Sequence, residues 1–326
     1  MRESVFNGQE KYKLKQTAEQ ASIYLKYLPF CLHGYVANNN PFYLLLLQII
    51  SIVQICFAPV ISEETVQELQ NAIEAHFHIF KNLFPHVSIT TKMHYMLDIP
   101  KQILNLGPLV RHSCIRFEAK HRYFKDLAPQ QNYKNICLSL AERCQLDACA
   151  DFETEKLCQH PLFSTEKKLG PPSSVVDETR MAFFEKIADT KIFSNPERLN
   201  KLFLYKWIEL YGTRYITCKC CIIAVDATFI TRMPVFGRLQ RIWLVDDEII
   251  FEIIQLKTVQ FNPNLLAYEV DDPGDGVPTR FVLYKKMLDF NVYSLQYQLD
   301  SAYVPIRYDL KDVISQQVVG EHPLHF

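Results

Sequence analysis

The chain has 326 residues, 48% of them apolar, and a formal charge of −1. That composition supplies ample material for a packed core, and the length suggests two domains. Ten cysteines without regular spacing exclude a secreted disulfide scaffold and point to reduced thiols, and nine glycines in all nearly exclude a Gly-rich phosphate loop.

The opening stretch, MRESVFNGQEKYKLKQ, is polar, so no secretory signal is expected. Ser22 to Tyr35 predicts a short helix broken at Pro29. Asn40 is a candidate cap, with Pro41 at the first helical position. Phe42 to Ile61 carries no charge and has about the length of a membrane span. Gln48, Ser51 and Gln54 recur at every third residue, which predicts one polar face. The run is therefore read as a core helix of an all-α region, ended by Pro59, and no membrane partner is expected.

Ser62 should cap the next helix, with Glu63 and Glu64 favouring its N-terminal dipole. Val66, Leu69, Ile73, Phe77, Phe80 and Phe84 form a stripe at helical period, and Pro85 stops it. His76 and His78 point to different faces and are read as surface or core-edge residues, not ligands. After a turn at Gly107-Pro108 comes the most informative run, RFEAKHRYFK, from Arg116 to Lys125. In a helix, Glu118, Arg122 and Lys125 share one face, beside an apolar stripe of Phe117, Phe124 and Leu127 or Ala128. A lone carboxylate among Arg116, Lys120, His121, Arg122 and Lys125 has two readings. One is a solvated face with Glu–Arg pairs worth about 0.2–0.5 kcal/mol each. The other is a metal-ligating acid with cations aimed at phosphates. From Lys92 to Arg143 there are nine Lys/Arg against four Asp/Glu, whereas Asp226 to Asp312 has nine against thirteen. The first excess permits a DNA-facing surface. Pro129 ends the helix, and Asn135 to Cys149 predicts another.

Residues 151–200 read as a linker with short helices, because LGPPSS at Leu169 to Ser174 is rich in breakers. Cys158 and His160 lie there without further ligands at metal-binding spacing. From Trp207 the period becomes strand-like, with turn signals at Met233-Pro234, Asp246-Asp247 and Asp271 to Pro278. This predicts a small antiparallel barrel or sandwich over 201–326. Cys218, Cys220 and Cys221 are expected as buried thiols of a strand, where they would not converge on a metal. The fold class expected overall is α+β, with a helical region over 1–150 followed by the β-rich domain.

The runs KMHYMLDIPKQILNLGPL, RFEAKHRYFK and NYKNICLSLAERCQ, in that order, resemble the C-terminal part of animal CACTA-type (En/Spm-like) DNA transposases. The likeness covers residues 40 to 145 and, more loosely, the tail from Asn200. Such enzymes are similar to the RNase H-like DDE class, in which two Asp and one Glu hold two metal ions. The resemblance implies that Glu118 is the third acid, on the late helix of that fold, and that Mg²⁺ or Mn²⁺ serves an intact family member. It implies a nuclear protein whose Arg111, Arg116, Lys120, Arg122 and Lys125 contact DNA phosphates. One departure matters: no Asp precedes Asp98, so the two upstream acids are absent from this chain. A two-metal site with one ligand cannot hold its ions. The chain is thus expected to be a truncated or domesticated transposase remnant, inactive alone, that retains DNA binding. Alternatives are a nuclear interaction module acting through the β domain, a partner chain supplying the missing Asp residues, and a decayed copy without function.

Overall fold

The computed structural model describes residues 18–112, 135–153, 167–173, 175, 177–188, 202–218 and 220–319. The helical part comprises α1 (Ala18–Leu32), α2 (Pro41–Cys56), α3 (Glu63–Leu83), α4 (Thr91–His94), α5 (Ile99–Leu106) and α6 (Ile136–Glu153). The β part begins with β1 (Lys167–Leu169), β2 (Pro172–Ser173), helix α7 (Asp177–Ala188), β3 (Leu202–Tyr205), β4 (Trp207–Leu210) and β5 (Thr213–Ile216). It continues with β6 (Ile222–Ala227), β7 (Pro234–Val245), β8 (Glu248–Asn262), β9 (Ala267–Asp271), β10 (Arg280–Leu283), β11 (Val292–Tyr293), β12 (Gln296–Gln298) and β13 (Ser301–Pro305), and closes on helix α8 (Lys311–Val319). The protein is α+β, with helices first and an antiparallel sheet region after them.

Local chemistry sets the helix starts. Asn40 Oδ1 accepts from the Phe42 and Tyr43 amides, and Ser62 Oγ accepts from the Thr65 amide, so each cap satisfies donors that have no intrahelical partner. Phe42 meets Phe84, and Gln48 donates to the Ala72 carbonyl, so α2 and α3 run antiparallel as a hairpin. Their core is Ile52, Cys56, Val66, Leu69, Ile73 and Phe77, joined by Ile103 of α5. The polar face expected on α2 does not form: Gln54 is buried, and the carbonyl beside its side chain accepts from the Asp309 amide. The side of α2 that carries Gln48 faces α3 rather than water. No helix among the described residues is long and apolar enough to cross a membrane.

The β region is built on the β7–β8 hairpin. Its two-residue turn, Asp246-Asp247, has both φ angles positive, at 44° and 72°, the turn geometry that matches strand twist. A bulge between Leu239 and Arg241 in β7 and another between Thr258 and Gln260 in β8 bend the ribbon. The bend lets each long strand pair differently along its length. β7 takes β6 on its first half and β3 on its second, while β8 takes β10 first and β9 later. The strand path stays open, from β11 at one end to β12 at the other, so of the two expected forms, barrel or sandwich, a closed barrel is not formed. Instead a three-stranded sheet, β1-β4-β5, packs on the larger sheet through Ile208, Leu210 and Tyr215 against Ile223, Ile242 and Phe251. The stretch read as a linker supplies β1 of this smaller sheet and β2, which pairs with β3 of the larger one. It also supplies α7, whose Phe183 lies 4.5 Å from Trp243 between ring centroids.

Helices dock on the opposite end of the sheet region. Tyr43 Oη donates to the Asn264 carbonyl at 2.6 Å, and Phe30 meets Tyr303 edge-on. The Ser62 amide donates to Asp312 of α8 at 2.8 Å, and Lys311 pairs with Glu68 at 2.7 Å.

Candidate functional site

Glu118, Arg116, Lys120, Arg122 and Lys125 lie outside the described residues. Arg111 is described: it ends a 3-10 turn, Leu109–Arg111, and is exposed. Gly107, at φ 82°, ends α5 with its amide bonded to the Ile103 carbonyl, and Pro108 then turns the chain toward Arg111. His112 sits against the Leu106 carbonyl at 2.6 Å, which fixes the exit of this turn.

The strongest grouping of charged side chains lies elsewhere, on the bent hairpin. Glu252 stands in β8 within the apolar run Ile249 to Ile254 and is 2% exposed. A buried carboxylate is tolerated only with donors around it. Trp243 Nε1 donates to it at 3.0 Å, Thr279 Oγ1 at 2.7 Å and Arg241 Nη1 at 3.3 Å, with Lys186 Nζ at 3.8 Å. Lys186 also donates to Thr279 Oγ1 at 3.4 Å. The β7 bulge makes this possible. Leu239 pairs with Ile253 and the next pair is Arg241 with Glu252, so Gln240 is the extra residue that brings Arg241 opposite the acid.

The loop between β9 and β10 forms one wall. Arg238, 4% exposed, holds it with Nη1 to Asp272 at 3.1 Å and Nη2 to the Gly274 carbonyl at 2.7 Å and Asp275 at 3.1 Å. Gly274 and Gly276 have φ of +80° and +92°, conformations that L side chains rarely adopt. The result is a cleft of about 520 Å³ lined by Lys186, Thr217, Gln240, Arg241, Asp275 and Thr279, with Glu252 beneath.

A second buried acid, Asp289, accepts from Tyr308 Oη at 2.6 Å, from Asn291 Nδ2 at 3.0 Å and from the Tyr293 hydroxyl. Burial, reinforced by the Asp289 charge, raises the ionisation of both phenols far above the usual tyrosine range, so they stay neutral donors. Lys26 of α1 lies over the Tyr27 and Tyr293 rings, at 5.3 and 5.8 Å, and burial pushes its amine down to about 8, with Arg307 adding repulsion.

The cysteine trio differs from expectation. Cys218, Cys220 and Cys221 lie between β5 and β6, in a turn closed by the Cys221 amide on the Cys218 carbonyl, and not within a strand. Cys218 and Cys220 are exposed, and only Cys221 is a buried thiol, pushed up to about 11 by burial. Among the described residues no group of three or more His, Cys, Asp or Glu could hold a metal ion. His76 is buried, with Nδ1 lacking a hydrogen-bond partner among the described residues, and burial lowers its pKa, whereas His78 is exposed.

Glu252, Arg241 and Lys186 escaped sequence reasoning. The available signal was a single acid at the centre of an apolar strand run, opposite an Arg across a two-residue turn. Compared with models of known protein families, with curated proteins and with solved structures, the chain matches none.

Proposed function

We propose that the chain is a transposase-derived DNA-binding protein of CACTA type that does not cut DNA on its own. The observation that carries this reading is the ordered series of runs from Lys92 to Gln145, with one acid where the DDE class needs three. On this reading Glu118 is a vestigial metal ligand on the late helix of an RNase H-like fold. Arg111, Arg116, Lys120, Arg122 and Lys125 contact phosphates, and the protein works in the nucleus. The local excess of basic residues supports a contact dominated by charge, and such contacts weaken steeply with salt. Duplex binding by the full chain is expected at low salt, falling about tenfold or more for a fourfold rise in salt. Binding that ignores salt, or no binding at low salt, refutes the DNA reading. Robust Mg²⁺- or Mn²⁺-dependent cleavage that vanishes in Glu118→Ala refutes the inactive reading.

A second reading, a nuclear interaction module, is favoured by one feature of the β region. Phe229 and Ile230 in the β6–β7 loop are 82% and 92% exposed. Large apolar side chains so placed are the kind that a partner covers. The Phe229→Ser/Ile230→Ser double variant should then lose partners recovered from nuclear extract while keeping DNA binding.

A further inference from the structure

We propose that the cleft above Glu252 binds a small phosphorylated ligand of about mononucleotide size, its phosphate gripped between Arg241 and Lys186. The volume of about 520 Å³ lies in the range of small-molecule sites. Glu252 itself is not the recognition group. Three donors and the Lys186 ammonium at 3.8 Å already surround its carboxylate, which leaves little acceptor capacity for a cationic ligand. Its effect is to hold the two cations in place. Arg241 spends only Nη1 on the acid, so its Nε–H and second terminal nitrogen have no acceptor among the described residues. A guanidinium fixed at one corner presents the remaining fork at little entropic cost, and that fork matches phosphate geometry.

The positive side of the cleft is local: Arg241 and Lys186 share one carboxylate at the rim, where their side chains are 49% and 52% exposed, while on the other wall Arg238 meets both Asp272 and Asp275. Gln240 adds an amide, and Leu239, Ile254 and Val277 offer apolar surface for the rest of the ligand. A small ligand is favoured over duplex DNA because Asp226 to Asp312 carries nine Lys/Arg against thirteen Asp/Glu. A long polyanion laid across this region would meet net repulsion, whereas one phosphate meets only the rim cations. The site is separate from the segment at Arg111, so either proposal can fail without the other.

Trp243 touches Glu252 directly and can report occupancy. The chain has two Trp, so Trp207→Phe makes Trp243 the single emitter. The full chain carrying that change would be titrated with inorganic phosphate and with a nucleoside monophosphate, at constant ionic strength held with chloride. A saturable change in Trp243 emission is expected. Arg241→Lys, which keeps the charge and loses the fork, should weaken it about tenfold or more, and Lys186→Gln about threefold or more. Both positions are half-exposed, and circular dichroism would confirm folding. The proposal is overturned if neither phosphate probe alters emission at millimolar concentration, or if both folded variants bind as tightly as their parent. Displacement of the monophosphate by duplex DNA, lost in Arg241→Lys, would overturn the assignment to a small ligand.

Discussion

Removing the Glu252 carboxylate should be among the most damaging single changes in the β region, and the geometry says how damaging. In Glu252→Ala the Trp243 indole N–H, on a side chain 1% exposed, loses its acceptor at 3.0 Å, and only water entering from the cleft above would replace it. An orphaned buried donor costs about 1–3 kcal/mol. Deleting the one buried methylene, Cγ, adds about 1 kcal/mol. Arg241 and Lys186, half-exposed, can hydrate when released, so their loss adds little. The sum is about 2–4 kcal/mol, at or below the usual cost of breaking a fully buried pair. Glu252→Gln keeps an acceptor for the indole and should cost about half as much. Urea unfolding followed by far-UV circular dichroism measures both, provided the slope with denaturant is unchanged. A loss below about 0.5 kcal/mol in Glu252→Ala would refute the view that the acid anchors this part of the sheet.

Lys26 makes stability depend on pH in a defined direction. Its folded pKa of about 8 lies below the usual lysine value of 10.5, so the unfolded chain binds more protons between these values and stability rises with pH there. The penalty is fully present below about pH 8 and amounts to no more than about 3–4 kcal/mol. Above about pH 10 the trend should reverse. Tyr215, Tyr293 and Tyr308 have folded pKa values raised above the unfolded one, and their contribution is lost as the unfolded phenols ionise. Lys26→Met should therefore be the more stable protein at neutral pH and should lack the rise between pH 8 and 10, as read from urea midpoints across pH. Gly237→Ala tests the sheet crossing: a Cβ there would lie 2.4 Å from Ile253 Cδ1 and 3.0 Å from its Cβ. A cost of about 1–3 kcal/mol is expected, partly recovered in the Gly237→Ala/Ile253→Val double variant, which removes the nearer atom. Simple additivity of the two changes would contradict the contact.

Much of the helical part was legible because its signals are local. Asn40 and Ser62 sit next to runs whose period is unambiguous, and Val66, Leu69, Ile73 and Phe77 are all buried as the stripe requires. The β7–β8 hairpin was legible for the same reason, with Asp246-Asp247 between two long apolar runs. What failed depends on contacts distant in sequence. LGPPSS looks like a linker, yet the edge position of β1 and β2 tolerates its prolines, and Gly170 lets the chain pass Trp207, where a Cβ would lie 2.8 Å from the indole. Gln54 looks polar and exposed by spacing, but it is buried, and the segment ahead of α8 reaches it, the Asp309 amide donating to the Gln54 carbonyl. Barrel and sandwich both stayed open in the sequence because strand number is visible there and strand bending is not. The bulges at Gln240 and Val259 carry no residue-type signature.

The two buried acids bear on what the described part of the chain can do. A general base needs a lone pair free to take a proton, and a general acid needs a proton that neighbours do not suppress. Glu252 has its oxygens occupied by an indole, a hydroxyl and two cations, and Asp289 has its own occupied by two phenols and an amide. Each is a buried acceptor around which other groups are arranged. What each arranges differs. Asp289 locks neutral tyrosines into the core, whereas Glu252 projects two cations outward over a cleft. Only the second arrangement turns an internal charge into an external binding feature, and the bulge at Gln240 is the local device that creates it.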